Sequence, residues 1–105
     1  MSDQWLSAGS ESELAPNDVR RRDVGDATFA VVKTGDGTCV VIDGLCTHGK
    51  AHLADGFVDG DVIECPKHNG RFNAVTGAAV ATPARVAIRT HETRVRDGLV
   101  EFRIA

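Results

Sequence analysis

The stretch from Cys46 to Phe72, CTHGKAHLADGFVDGDVIECPKHNGRF, holds two cysteines and three histidines. Cys46 and His48 stand two apart, Cys65 and His68 stand three apart, and sixteen residues lie between the pairs. In an extended loop, residues i and i+2 project to the same side, so Cys46 and His48 can face one centre. Pro66 sets φ just after Cys65 and bends the chain so that His68 follows. Two loops, each giving one sulfur and one nitrogen, can therefore clasp one site. Two chemistries accept that donor set. One zinc ion takes it tetrahedrally, although Cys-x-His is tight for a structural zinc loop. A two-iron, two-sulfide cluster takes it with both cysteines on one iron and both histidines on the other. Such a cluster needs backbone N–H groups turned toward its sulfides. Gly49 and Gly70 stand where close approach and a positive φ would provide them.

Around this stretch the pattern is that of β-strands. TFAVVKT (Thr28–Thr34) and TCVVIDG (Thr38–Gly44) are rich in β-branched residues and flank GDG, which predicts a hairpin. FVDGDVIEC predicts a second hairpin turning at Asp59-Gly60, and TRVRDGLVEFRI a third turning at Asp97-Gly98. In the last arm Leu99, Glu101 and Arg103 alternate with Val100, Phe102 and Ile104. WLSA and DVRRRDV are shorter edge candidates, and SESELAPND holds one helical turn before Pro16. No window shows sustained helical spacing. Many short strands with Gly and Asp turns predict an all-β sandwich or barrel. The strand pattern breaks from about Leu45 to Pro83, which predicts a small subdomain inserted into a β base.

Length and composition bound the rest. The chain has 105 residues, enough for one domain spanning 1–105. Hydrophobic residues make up 42% and charged residues 26%, the balance of a globular domain and not of a disordered chain. A net charge of −3 gives no footprint for nucleic acid. No apolar run approaches the roughly 20 residues of a membrane span. The polar start MSDQWLSAGSESEL is unlike a signal or transit peptide, so a cytoplasmic protein is expected. In that setting thiols serve metals or chemistry more often than disulfides.

The paired motif C-T-H-G and C-P-x-H, followed by x-G-x-F and a Thr76-Gly77 turn, resembles the Rieske [2Fe–2S] family. More narrowly, it resembles the small Rieske ferredoxins of bacterial aromatic-ring-hydroxylating dioxygenase systems, of the biphenyl and naphthalene type. The resemblance runs from DVRRRDV to LVEFRI. It implies a Rieske fold: an antiparallel β-sandwich or barrel base with the cluster-binding subdomain inserted, and a proline-bearing loop near Pro83 that covers the cluster. It implies one [2Fe–2S] Rieske cluster held by Cys46, His48, Cys65 and His68. It also implies a monomeric one-electron carrier between an NAD(P)H-dependent flavin reductase and a terminal oxygenase. The chain itself would not be the enzyme, because 105 residues leave no room for a mononuclear-iron domain. No 2-His-1-carboxylate set is apparent outside the cluster ligands. A zinc-bound interaction module and the Rieske-like small subunit of a reductase are the alternatives.

Family differences carry meaning too. Respiratory-type Rieske proteins have an extra, disulfide-forming cysteine in each ligand loop, and serine and tyrosine hydroxyls near the sulfurs. The matching neighbourhoods here have no such cysteines, and Gly70 and Phe72 stand where the hydroxyls would be, which implies a low potential. Two neutral imidazoles in place of thiolates leave the oxidised centre neutral, so adding an electron costs less than at an anion. That places Rieske potentials roughly between −150 and +300 mV, above plant-type ferredoxins.

Other residues read more plainly. Cys39 lies in an apolar strand and is expected in the core. His52 and His91 are expected at the surface, and Arg20-Arg21-Arg22 as a solvated strand edge. Lys50, Lys67 and Arg71 read as solvated charge, or as a positive rim that steers an acidic partner. Asp55, Asp59, Asp61 and Glu64 would instead face a basic one.

Overall fold

A computed structural model describes residues 4–47, 51–67, 69–82 and 84–105. In chain order its strands are β1 (Leu6–Ser10), β2 (Asp18–Val24), β3 (Ala27–Lys33), β4 (Cys39–Asp43), β5 (Phe57–Asp59), β6 (Val62–Glu64), β7 (Arg71–Asn73), β8 (Ala79–Ala81), β9 (Thr90–Arg96) and β10 (Leu99–Arg103). Single 3₁₀ turns lie at Glu11–Glu13 and Leu53–Asp55. A six-stranded antiparallel sheet runs β1-β10-β9-β4-β3-β2, and a four-stranded one runs β5-β6-β7-β8. Strands β4 and β9 are neighbours, with Val41 opposite His91 and Ile42 opposite Thr90. All four strands of the second sheet come from the chain between them. Among the described residues no helix is long and apolar enough to cross a membrane.

The predicted hairpins form. β3 pairs with β4 across the Gly-containing loop. β9 pairs with β10 around Asp97 and Gly98, both at positive φ (52° and 80°), as a two-residue primed turn requires. The β5–β6 turn falls one residue later than expected, because Asp59 pairs with Val62 and leaves Gly60-Asp61 at the tip. A fourth hairpin, β2–β3, turns at Gly25-Asp26, a pairing that the strand pattern alone does not predict. WLSA and DVRRRDV mark β1 and β2, the two edges of the large sheet.

Those edges are bridged. Laid flat, six strands about 4.8 Å apart would put β1 and β2 roughly 24 Å from each other. Yet the Arg20 guanidinium donates to the Ala8 carbonyl at 2.5 Å, and Arg22 Nε donates to the Ser7 carbonyl at 2.8 Å. The sheet therefore curls nearly into a barrel, and β2 closes it with side chains where backbone pairing stops. This corrects the expectation of a merely solvated Arg20-Arg21-Arg22 edge. Arg20 is half-buried, while Arg21 and Arg22 are exposed as expected, Arg21 pairing with Asp23 at 3.1 Å.

Inside the barrel lie Ala8, Leu14, Phe29, Val31, Cys39, Val41, Val100 and Phe102. A second core joins the outer face of β3 and β4 to the four-stranded sheet, through Ala30, Val32, Ile42, Leu53, Ile63, Phe72 and Ala74. Successive strand residues point to opposite faces. Phe29 and Val31 thus fill one core while Ala30 and Val32 fill the other, which is why β3 reads as continuously apolar. Cys39 is buried in the barrel as expected, and burial pushes its thiol pKa up.

His91 is not at the surface. Its Nε2 donates to Asp43 Oδ1 at 2.8 Å, its Nδ1 accepts from the Ala105 amide at 3.0 Å, and its ring meets Phe29 edge-on at 5.1 Å. It ties the end of β10 to β4. The isolated sequence, with Arg89 and Glu92 as neighbours, showed only a charged setting.

Arg20→Ala is expected to lower the unfolding free energy by about 1–3 kcal/mol, since it leaves the buried Ala8 carbonyl without its charged donor. Arg21→Ala is expected to change it little. Urea denaturation of both variants is the check; equal losses would show that Arg20 does not close the barrel.

Candidate metal centre

The first ligand loop leaves β4 through Gly44 and Leu45, and the second leaves β6 directly at Cys65. Each is pinched at its neck in the same way. The Cys46 amide donates to the Ala51 carbonyl at 2.9 Å, and the Cys65 amide donates to the Gly70 carbonyl at 2.7 Å. Cysteine therefore opens each loop at the same place relative to its closing hydrogen bond. The two loops have different foundations. The second is the tip of a hairpin, since Glu64 pairs with Arg71 across it. The first has a single bridge beneath it, Leu45 opposite His52.

Both cysteines are buried, Cys46 at 4% and Cys65 at 1% exposure, on a floor that includes Leu53, Ile63 and Phe72. Neither forms a disulfide. Both belong to the same buried cluster. Burial pushes the Cys65 thiol pKa up; the Lys67 backbone N–H, donating to its sulfur, opposes this, and the Cys46 thiol adds to the rise. Two adjacent buried thiols cannot both ionise cheaply unless a cation joins them, and a metal holds cysteine as the thiolate. With an N–H already aimed at sulfur, the pair fits the cysteine half of an iron–sulfur centre. His48 and His68, the predicted nitrogen donors, lie outside the described residues, as do Gly49, Lys50 and Pro83.

Glycine at position 70 is there for space and not for φ. The left-handed residue of the second loop is Asn69, at φ 60°. A Cβ on Gly70 would come within 3.2 Å of both Cβ and N of Ala84. The segment after Pro83 thus packs on the second loop, and it also reaches the first, where the Thr47 hydroxyl donates to the Val86 carbonyl at 2.7 Å. One segment braces both loops.

The charged residues around the loops differ in their pairing. Arg71 donates to Glu64 across the hairpin at 2.8 Å, so two residues expected on opposite rims neutralise each other. Lys67 is exposed and makes no ion pair among the described residues. Asp55, Asp59 and Asp61 are exposed. His52, expected at the surface, is only 7% exposed. Its Nδ1 accepts from the Ala54 amide at 3.0 Å, and its Nε2 meets the Thr28 hydroxyl at 2.8 Å. Burial, and then Arg21, push its pKa down. Its position four residues after His48 marked it as near the site, but nothing local in the sequence indicated a partner on β3.

A β base with a second sheet inserted between neighbouring strands, and two matched cysteine-led loops with buried free thiols, fits an iron–sulfur protein. Comparison with known proteins agrees. The Rieske [2Fe-2S] domain family matches residues 4–92. The "Ferredoxin CarAc" of Metapseudomonas resinovorans is 42% identical over 101 residues, covering 95% of this chain and 94% of that protein. The ferredoxin component of the naphthalene 1,2-dioxygenase/salicylate 5-hydroxylase systems of a Ralstonia species is 35% identical, with 92% of each chain covered. A ferredoxin solved in complex with the oxygenase of carbazole 1,9a-dioxygenase superposes with a TM-score of 0.88 at 39% identity, covering 96% of this chain and 94% of that one. The chain belongs to the Rieske [2Fe–2S] domain family. Its cofactor is a single Rieske cluster, and it is an electron-carrying ferredoxin and not a catalytic component.

Cys39→Ala is expected to keep the full visible spectrum of the cluster, because Cys39 lies in the barrel core, apart from the core that contains Cys46 and Cys65. The stability loss should be about 1 kcal/mol. Absorption spectra with urea denaturation check this; loss of the colour would make Cys39 a ligand.

Proposed function

We propose that Cys46 and Cys65 bind one iron of the cluster and His48 and His68 the other, and that the chain shuttles single electrons from an NAD(P)H-dependent flavin reductase to a terminal aromatic-ring-hydroxylating oxygenase. The observation that carries this reading is the pair of pinched loops that bring two buried, unbridged thiols together. When bound, the cluster supplies a one-electron couple with every ligand position filled. The chain's own residues do the rest. Leu53, Ile63 and Phe72 keep water from the sulfurs, the Lys67 amide donates to Cys65, and the segment after Pro83 holds the loops together. Gly70 and Phe72 offer no hydroxyl to a sulfur, which supports a low potential. Thr47, Pro66, Lys67 and Asn69 are exposed on the two loops, so a partner can approach the cluster closely. Leu45 and Val86, 50% and 63% exposed, give that end an apolar component.

The oxygenase as acceptor is supported by the carbazole dioxygenase complex, and the reductase as donor by the family resemblance. We read residues 1–105 as one cytoplasmic, monomeric domain, with 45–83 as an inserted subdomain; the core shared between the two sheets supports a single folding unit.

The purified chain should contain two irons and two acid-labile sulfides, and Cys46→Ser or His68→Ala should prevent stable assembly. Metal analysis with electron paramagnetic resonance tests this; stoichiometric zinc in protein expressed with ample iron would favour the zinc module. Lys67→Glu should slow reduction of the oxygenase several-fold at low salt while moving the potential little, because an exposed charge acts on encounter. Stopped-flow rates insensitive to both the mutation and ionic strength would place docking elsewhere.

A further inference from the structure

The two ligand loops are not equally supported, and one buried side chain compensates. The second loop stands on the β6–β7 ladder. The first stands on the single Leu45–His52 bridge, the Cys46–Ala51 hydrogen bond, and a Leu53 amide that donates to the Gly44 carbonyl at 2.7 Å. Over this slender neck the His52 imidazole folds back across Gly44. A Cβ on Gly44 would lie 2.5 Å from His52 Nε2, so the ring occupies the space a side chain would need.

The hydrogen bonds of the ring are directional. The Ala54 amide can only donate, so His52 Nδ1 is its acceptor and the proton of the neutral ring sits on Nε2. Nε2–H therefore donates to Thr28 Oγ1 on β3. The Thr28 hydroxyl in turn donates to Asp23 Oδ1 on β2 at 2.5 Å. Asp23, further held by Arg21, ends the chain as a pure acceptor. The Gly44 amide donates to the Thr28 carbonyl at 2.9 Å, so the strap and the backbone meet at one residue.

We propose that His52 is a positioning residue for the cluster: through Thr28 and Asp23 it straps the first ligand loop to the barrel and thereby sets how that loop presents Cys46. This rests on the ligand set proposed above. The strap works through hydrogen bonds from a loop to two barrel strands, so its removal loosens the neck of one loop and leaves the other on its ladder. Its signature is a change in the cluster's properties without loss of the fold.

Three variants separate the two ends of the ring. His52→Asn keeps an oxygen near the Nδ1 position to accept from Ala54 but cannot reach Thr28. His52→Gln places an N–H near the Nε2 position to reach Thr28 but gives up the acceptor for the Ala54 amide. Thr28→Val removes the hydroxyl at nearly constant shape. For His52→Asn and Thr28→Val we expect a shifted reduction potential, broadened paramagnetic resonance lines and several-fold faster cluster loss. His52→Gln should restore all three toward wild type. Hydrogen exchange of residues 44–54, read by mass spectrometry, should quicken several-fold in the same two variants. Unchanged potential, spectrum and exchange in His52→Asn and Thr28→Val would overturn the proposal, as would a His52→Gln protein as disturbed as His52→Asn. If the wild-type chain shows no Rieske spectrum, the ligand reading fails and the role in presenting donors falls with it. The exchange data then separately decide whether the strap holds the loop.

Discussion

Strands β3 and β4 form a wall that is dry on both sides, and the rest of the molecule depends on it. One side lines the barrel with Phe29, Val31, Cys39 and Val41; the other carries Ala30, Val32 and Ile42 into the core beneath the cluster loops. The four strands of the second sheet have three residues each, too short to be stable alone. They persist because Ile63, Phe72 and Leu53 bury themselves against that wall. The cluster end has no independent core, and any change that tilts β3 moves the thiols with it. Small apolar Ala30 on the outer face, opposite bulky Phe29 on the inner, suits a wall whose outer side must accept a closely packed layer.

The electrostatics at the site follow from burial. Cys65 carries a raised thiol pKa in a setting with one backbone donor and a second thiol beside it. Such a pair is costly without a metal and well matched with one, so binding of the cluster is coupled to the final ordering of both loops. The brace from the segment after Pro83, touching Gly70 at Ala84 and Thr47 at Val86, makes that ordering a joint event of three segments.

The parts legible in the sequence were those set by short-range chemistry. Asp97-Gly98 can hardly be other than a primed turn, and the alternation of Val100 and Phe102 with charged neighbours places them inward. The cysteine–histidine spacing carried the family because loops of that kind bind one centre. What stayed hidden were polar side chains whose partners are distant along the chain. His91 finds Asp43 and the Ala105 amide, His52 finds Thr28, and Arg20 and Arg22 find carbonyls of β1. Locally each looks like a solvated charge, because the partner that gives it a role is brought near only by tertiary packing. The expected positive φ at Gly70 failed for a related reason: the demand there is for clearance from Ala84, a residue fourteen positions on, while Asn69 takes the left-handed backbone.

Trp5 stands just before β1 with its ring under two guanidinium groups, Arg94 at 3.8 Å and Arg103 at 4.6 Å. Those arginines are in turn paired across β9 and β10 with Glu101 and Glu92. It is the only tryptophan in the chain. The molecule therefore carries two optical reporters: the visible colour of the cluster follows the ligand loops, and the ultraviolet emission of a cation-stacked indole follows the outer wall of the barrel. Comparing them during unfolding tells whether the base and the metal end come apart together.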